Sequence, residues 1–264
     1  MIGRVLIVAG SDSGGGAGIQ ADIKTVTMLG GYAATAIAAL TVQNTLGVTG
    51  VHPVPPAFVQ AQMRAVLDDI GADAIKTGML GDAAMVAAVA EVIEGLTTPP
   101  PLVVDPVMVA KGGARLLDAD AVGAVRVRLL PLAALVTPNT PELEALTGLA
   151  VIDEASAVAA GRALLAAGAK AVLVKGGHLE GDEVIDWLLT PAGDQRFASP
   201  RIDTRHTHGT GCTLASAIAC GLARGLTLGD AVATARDYVQ SAIRAAPGLG
   251  QGHGPLGHNF AILP

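Results

Sequence analysis

The chain has 264 residues and a formal charge of −6, and half of it is hydrophobic although only six residues are aromatic. That length suits one large α/β domain with a sizeable core. The acidic balance, the lack of a basic run and the scarcity of stacking side chains argue against nucleic acid or an anionic membrane as a partner.

The first predicted element is a strand over 5–9, Val5-Leu6-Ile7-Val8-Ala9, of the continuously apolar buried type. It runs into the glycine-rich stretch 10–18, and a helix is predicted over 19–29. This loop lacks a Gly-Lys-Ser/Thr ending, so it is not a Walker A loop. It also lacks Gly-x-Gly-x-x-Gly with an acidic residue about twenty positions on, which weakens a dinucleotide reading. It fits either close backbone approach to a ligand or a merely flexible turn. A second strand is predicted over 33–42, then a small flap and a proline-rich connector over 51–56. No residue between Lys24 and Arg64 is formally charged, but glycines, prolines and Gln43-Asn44 interrupt the stretch, so it is not a membrane span.

Helices follow over 57–69 and 82–94, the second with Asp82 as N-cap, with a strand over 74–76 between them. Further strands are predicted over 102–104, 133–136 and 171–174, a loop at 111–113, and helices over 141–147 and 154–167. A hairpin over 184–189 and 195–198 and two helices, 212–224 and 228–245, complete the chain before a glycine-rich tail. Strand–helix alternation predicts a single α/β domain on a mostly parallel sheet, and such sheets bind ligands beyond the carboxyl ends of their strands. Asp12, Lys76, Asp105, Asn139, Glu142 and Lys175 all fall at those ends.

The densest chemistry lies in Thr207-His208-Gly209-Thr210-Gly211-Cys212. Two glycines allow a tight turn, and the first N–H groups of the following helix make an anion site. A thiol there feels the positive helix end, so Cys212 is expected to ionise more easily than a free cysteine. The same stretch also fits a plain glycine turn with Cys212 as a small buried hydrophobe. Asp105 and Glu142 are the acidic pair that Mg²⁺ needs, or alternatively a loop acceptor and a helix cap. Lys175 can reach a polyphosphate as a point charge or simply end its strand in solvent. Asn139 reads as a turn former and a possible contact to nucleotide or metal-bound water. The six histidines lack metal-ligand spacing and read as surface or phosphate-contacting residues. Met79, Val107 and Met108 fit a pocket wall or simple core packing. Cys212 and Cys220 would lie about 12 Å apart along one helix, too far for a disulfide. Reduced thiols and an N-terminus without a signal peptide predict a cytoplasmic protein.

Motifs 9–25 (AGSDSGGGAGIQADIKT), 43–48 (QNTLGV), 76–80 (KTGML), 104–113 (VDPVMVAKGG), 137–142 (TPNTPE), 174–178 (VKGGH) and 208–213 (HGTGCT) together resemble the hydroxymethylpyrimidine/phosphomethylpyrimidine kinases of the ribokinase-like superfamily. The resemblance implies a Rossmann-like fold with a flap, a homodimer, and ATP- and Mg²⁺-dependent phosphorylation of a pyrimidine hydroxymethyl group in thiamin biosynthesis. It implies that Cys212 helps to deprotonate the hydroxyl while Gly209, Thr210 and Gly211 hold the transferring phosphoryl group. Asp105 and Glu142 are implied at the metal, and Lys175, Asn139, Thr137 and Thr210 at the nucleotide. Gln43 matches a pyrimidine-binding glutamine, and Asp22, Gly10, Val42, Met79 and Val107 are implied around the substrate. Arg205-His206-Thr207 and Trp187 depart from the family pattern in a region expected near the nucleotide. A pyridoxal or pyridoxine kinase of the same clade would share the Cys212 turn, but the Gln43 amide favours an aminopyrimidine.

Overall fold

The computed structural model describes residues 2–108 and 119–262. The predicted loop at 111–113, and the part of the 104–113 motif beyond Met108, lie outside the described residues. In chain order the elements are β1 (Arg4–Ala9), α1 (Gly18–Met28), β2 (Tyr32–Ile37), β3 (Ala39–Asn44), β4 (Gly47–Pro53), α2 (Pro56–Asp69), β5 (Ala74–Thr77) and α3 (Ala83–Glu94). Then come β6 (Leu102–Val104), α4 (Ala119–Ala124) running into a π-helical turn (Val125–Leu129), β7 (Leu135–Val136), α5 (Thr140–Thr147), α6 (Glu154–Ala166) and β8 (Val172–Val174). The chain ends with β9 (Glu183–Thr190), β10 (Gly193–Pro200), α7 (Thr210–Ala223) and α8 (Leu228–Arg244).

The main sheet has the order β10-β9-β8-β7-β6-β5-β1-β2. The strands from β8 to β2 are parallel, and the β9–β10 hairpin adds an antiparallel edge. β1 shows why the sheet is buried on both faces. Leu6 and Val8 join the core beneath α2 and α3, whereas Val5, Ile7 and Ala9 join the core beneath α1, α7 and α8. A strand covered on both sides reads as an unbroken apolar run. The small residues of α7, including Ala215, Ala219 and Gly221, let that helix pack against β1, β5 and β6 as well as α1 and α8.

Asp82 caps α3 as predicted, its Oδ1 accepting from the Met85 N–H at 2.8 Å. The predicted strand over 33–42 is two strands. β2 runs beside β1 only as far as Ile37, because β1 ends at Ala9 and offers no further ladder. Ala38 then bonds to the Ala9 carbonyl and passes its own carbonyl to Val54, and the chain leaves the sheet. β3 and β4 form the flap, an antiparallel pair separate from the main sheet. The predicted hairpin is longer than its apolar residues indicated, since the polar residues of β10 pair along its whole length. The helical segment at 119–129 matches no predicted element.

The chain passes outward from β1 to β2 and returns on the other side of β1 as β5. Such a reversal of strand order opens a crevice at the carboxyl edge. The loops after β1, β5, β6, β7 and β8 all face it, and the start of α7 closes it from one side.

Candidate active site

The crevice is a cleft of about 1360 Å³. One part lies between the flap, the β1–α1 loop and Met79. The other runs past Lys175 and Asn139 toward Arg236, Gln240 and Ile243. The start of α7, from Gly209 to Cys212, lines the cleft as well.

That start is built around Gly209, which caps the helix with φ of +84°. A side chain at 209 would overlap the Gly16 carbonyl, so glycine is required both for conformation and for contact with the β1–α1 loop. The helix begins two residues earlier than predicted, at Thr210, whose hydroxyl donates to the Thr207 carbonyl at 2.8 Å. First-turn N–H groups have no intrahelical acceptor, and those of Gly211 and Cys212 fall in this turn. A β-carbon on Gly211 would lie 3.4 Å from Lys175 Nζ. The bare turn therefore brings backbone N–H groups close to a cation.

Lys175 is held by two carboxylates. Its Nζ lies 3.0 Å from Asp105 Oδ1 and 3.7 Å from Glu142 Oε2. Glu142 also closes the capping box of α5: its Oε2 accepts from the Asn139 N–H at 2.7 Å, and Asn139 Oδ1 accepts from the Glu142 N–H at 3.0 Å. The cap and the cavity-facing acid are thus the same side chain. Burial, reinforced by Asp105 and opposed by Lys175, raises the Glu142 carboxyl to about 7. Two oxygen-donor carboxylates, one of them short of compensating positive charge, fit a hard divalent cation such as Mg²⁺.

Cys212 lines the cavity, but its thiol is not the easily ionised group expected from the helix end. Burial pushes it up to about 12, with Asp22 and Asp105 adding to the rise. Lys76 and the Gly18 N–H pull the other way without overcoming it. Desolvation is a tertiary effect, and here it outweighs the dipole.

Several implied ligand residues lie elsewhere. Asp22 is fully buried behind the cavity wall. Its carboxylate accepts from Lys76 Nζ at 2.9 and 3.0 Å and from Ser216 Oγ at 2.6 Å. It holds Lys76 rather than lining the cleft. Val42 is 65% exposed on the far side of β3, because strand side chains alternate and Thr41 and Gln43 take the cavity side. Thr137 is fully buried, and its hydroxyl donates to Asp105 Oδ1 at 3.3 Å, so it steadies an acid instead of meeting a nucleotide. Trp187 points toward α6 and donates to Glu154 Oε1 at 2.6 Å. Gly10, Gln43, Met79, Val107, Asn139 and Thr210 all line the cleft.

Sequence reasoning placed Asp12 at a strand end but missed the buried junction that it forms with His208 and Gln43. Asp12 Oδ2 accepts from the Gly16 and Ala17 N–H groups at 3.0 and 2.8 Å, while Oδ1 accepts from Gly14 at 2.8 Å. His208 Nε2 lies 2.9 Å from Asp12 Oδ2 and 3.3 Å from Gln43 Nε2. Burial raises the Asp12 carboxyl, but His208 and these N–H groups bring it below its ordinary value. His208 is therefore a buried link between loop, flap and helix, not a surface histidine. Its position immediately before Gly209 of the glycine turn was the available signal.

A doubly covered α/β sheet with a flap, and a glycine-capped helix start facing a lysine and two acids, define a ribokinase-like small-molecule phosphotransferase. The chain belongs to the family described as Phosphomethylpyrimidine kinase, whose profile matches residues 12–257. The Streptomyces coelicolor hydroxymethylpyrimidine/phosphomethylpyrimidine kinase is 52% identical, covering 98% of this chain and 95% of that protein. The thiamine biosynthesis bifunctional protein ThiED of Geobacter sulfurreducens is 55% identical over 98% of this chain, which spans 53% of that longer protein. Among solved structures, the Staphylococcus aureus pyridoxal kinase in complex with AMP-PCP and pyridoxal superposes with a TM-score of 0.90 at 33% identity, covering 98% of this chain and 94% of that one.

Proposed function

We propose that the protein transfers the γ-phosphoryl group of ATP to the hydroxyl of 4-amino-5-hydroxymethyl-2-methylpyrimidine and then to the resulting monophosphate, in thiamin biosynthesis. The observation that carries this reading is the first turn of α7, which lines the cleft with Cys212 and brings Gly211 beside Lys175 Nζ. A phosphoryl group in flight spreads charge over its oxygens, so positioned N–H groups and cations provide most of the catalysis. The Gly211 and Cys212 N–H groups and Lys175 Nζ supply these. Cys212 accepts the hydroxyl proton as the oxygen attacks. Because the thiol keeps its proton at neutral pH, the reacting thiolate is a minority form whose share grows about tenfold per pH unit. Asp105 and Glu142 would hold Mg²⁺, which neutralises charge on the donor phosphates when bound.

At the substrate end, Gln43 is oriented by its neighbours. Its Oε1 accepts from Thr41 Oγ1 at 3.2 Å, and its Nε2 faces His208. The amide can accept from an exocyclic amine and donate to a ring nitrogen. Pyridoxal lacks that amine. A second reading, pyridoxal phosphorylation, is favoured by the close superposition on the S. aureus pyridoxal kinase. Incubation with ATP, Mg²⁺ and either substrate, with products weighed by mass spectrometry, separates the two. The expected result is pyrimidine mono- and diphosphate, with kcat/KM for pyridoxal at least tenfold lower. A preference for pyridoxal would establish the second reading instead.

The exposed apolar residues Leu40, Val42 and Leu46 on the flap support a homodimer as the working form. The two free cysteines support a reducing compartment, the cytoplasm.

A further inference from the structure

One site performing both transfers meets two different nucleophiles. The hydroxymethyl group must lose a proton as its oxygen bonds to the γ-phosphorus. The bond between the γ-phosphorus and the β,γ-bridging oxygen breaks, ADP leaves with that oxygen and the electron pair, and the hydroxyl proton needs an acceptor. In the second transfer the nucleophile is a phosphate oxygen of the monophosphate. With a second phosphate pKa of about 6 it is already ionised at neutral pH. The same P–O bonds form and break, but no proton has to be removed. The site therefore needs a base for one reaction and not for the other.

The structure gives that base a dedicated support. Lys76 is a fully buried lysine on β5 whose Nζ is held at 2.9 and 3.0 Å by Asp22 on α1. Asp22 is in turn fixed by Ser216 on α7, one helical turn beyond Cys212. Gly78 makes room for the lysine head, since a β-carbon there would stand 3.1 Å from Nζ. Lys76, Gly78 and Cys212 all line the cleft, whereas Asp22 is buried and does not. Ser216 and Cys212 are one turn apart on α7, so the buried pair is set beside the thiol, where Lys76 favours the thiolate more strongly than Asp22 opposes it. The other charges that act on Cys212 are Asp22 and Asp105, which oppose its ionisation, and Lys175, and the Gly18 N–H approaches its sulfur.

We propose that Cys212, with Lys76 as the positioning residue that prepares its thiolate, serves transfer to the hydroxyl and is idle in transfer to the phosphate. The inference rests on the two-step reading above. Lys175, Gly211 and the two carboxylates are common to both transfers, because both move the same phosphoryl group.

The test measures each transfer separately, supplying either the hydroxymethylpyrimidine or its monophosphate with ATP and Mg²⁺. Cys212→Ala is expected to slow the first transfer a hundredfold or more and the second by less than about threefold. Lys76→Met is expected to slow the first about tenfold or more and to spare the second to the same degree. Where Lys76→Met does not fold because Asp22 is left unpaired, the double variant Lys76→Met/Asp22→Asn removes both charges and is expected to slow the first transfer by less than about tenfold while still sparing the second, since Lys76 acts on the thiol more strongly than Asp22. In the wild type, the first rate should climb with pH between 7.5 and 9 while the second stays flat. Equal slowing of both transfers by Cys212→Ala would overturn the division of labour. A wild-type protein that phosphorylates neither pyrimidine would overturn the functional reading itself.

Discussion

A methyl group on Gly209 has nowhere to go. The residue sits at φ +84°, and its missing β-carbon would overlap the Gly16 carbonyl. Left-handed backbone costs an L-residue about 1–2 kcal/mol before any clash is counted. Gly209→Ala is therefore expected to lower turnover more than tenfold and to reduce the melting temperature by several degrees, measured by steady-state kinetics and calorimetry. Wild-type kinetics would mean that the turn does not hold the phosphoryl group. Glu142 gives a second test at this scale. Its carboxyl is raised to about 7 by burial, so a divalent cation binding there displaces a proton. Below pH 7 the Mg²⁺ concentration needed for half-maximal rate should rise by up to about tenfold per pH unit. In Glu142→Gln that pH dependence should vanish. The sequence showed these residues because glycine, lysine and acid at strand ends are local signals. It could not show the thiol's raised pKa, nor that Asp22 would be claimed by Lys76, a residue 54 positions away.

The flap shows what a single element adds and how far its reading went. A run such as Ala33-Ala34-Thr35-Ala36-Ile37-Ala38-Ala39-Leu40-Thr41-Val42 has no breaker, so propensity alone gives one strand. The break at Ala38 comes from the length of β1, a fact about its neighbour. Once β3 is separate, alternation decides which side chains meet the substrate. Thr41 and Gln43 face the cleft and Val42 faces outward. Gln43→Met should raise KM for the aminopyrimidine at least tenfold and shift the substrate ratio toward pyridoxal. Val42→Ala should leave KM within about twofold. Competition between the two substrates in one reaction, read by mass spectrometry, checks both. The reverse pattern would put the flap in a different register. By contrast, α7 and the parallel strands were legible in outline, because apolar runs between glycine-rich loops carry strand, turn and helix in one local pattern.

Across the whole molecule, two distant buried groups pull stability in opposite directions as pH falls. His258, in the C-terminal tail, lies within 3.0 Å of Thr213 Oγ1 on α7, and its carbonyl accepts from Tyr238 at 2.8 Å. Burial, aided by Lys24, lowers its ring from an ordinary 6.5 to about 4. The folded state therefore holds fewer protons there than the unfolded chain, so this contribution is complete above pH 6.5 and is lost as pH falls toward 4. Glu142 moves the other way, from an ordinary 4.5 to about 7. Its contribution is complete below 4.5 and is lost as pH rises toward 7. The two spans are alike, each worth roughly 3 kcal/mol over its full range, so between pH 4.5 and 6.5 they offset one another in the intact protein. Denaturant unfolding at pH 7 and pH 4.5, without divalent cation, separates them. The stability gap between wild type and His258→Gln should shrink by roughly 2–3 kcal/mol on acidification. The gap between Glu142→Gln and wild type should move in wild type's favour by a similar amount. Gaps that do not change with pH would mean that neither group is desolvated as the fold requires, and that the tail is not docked on α7 through a neutral imidazole.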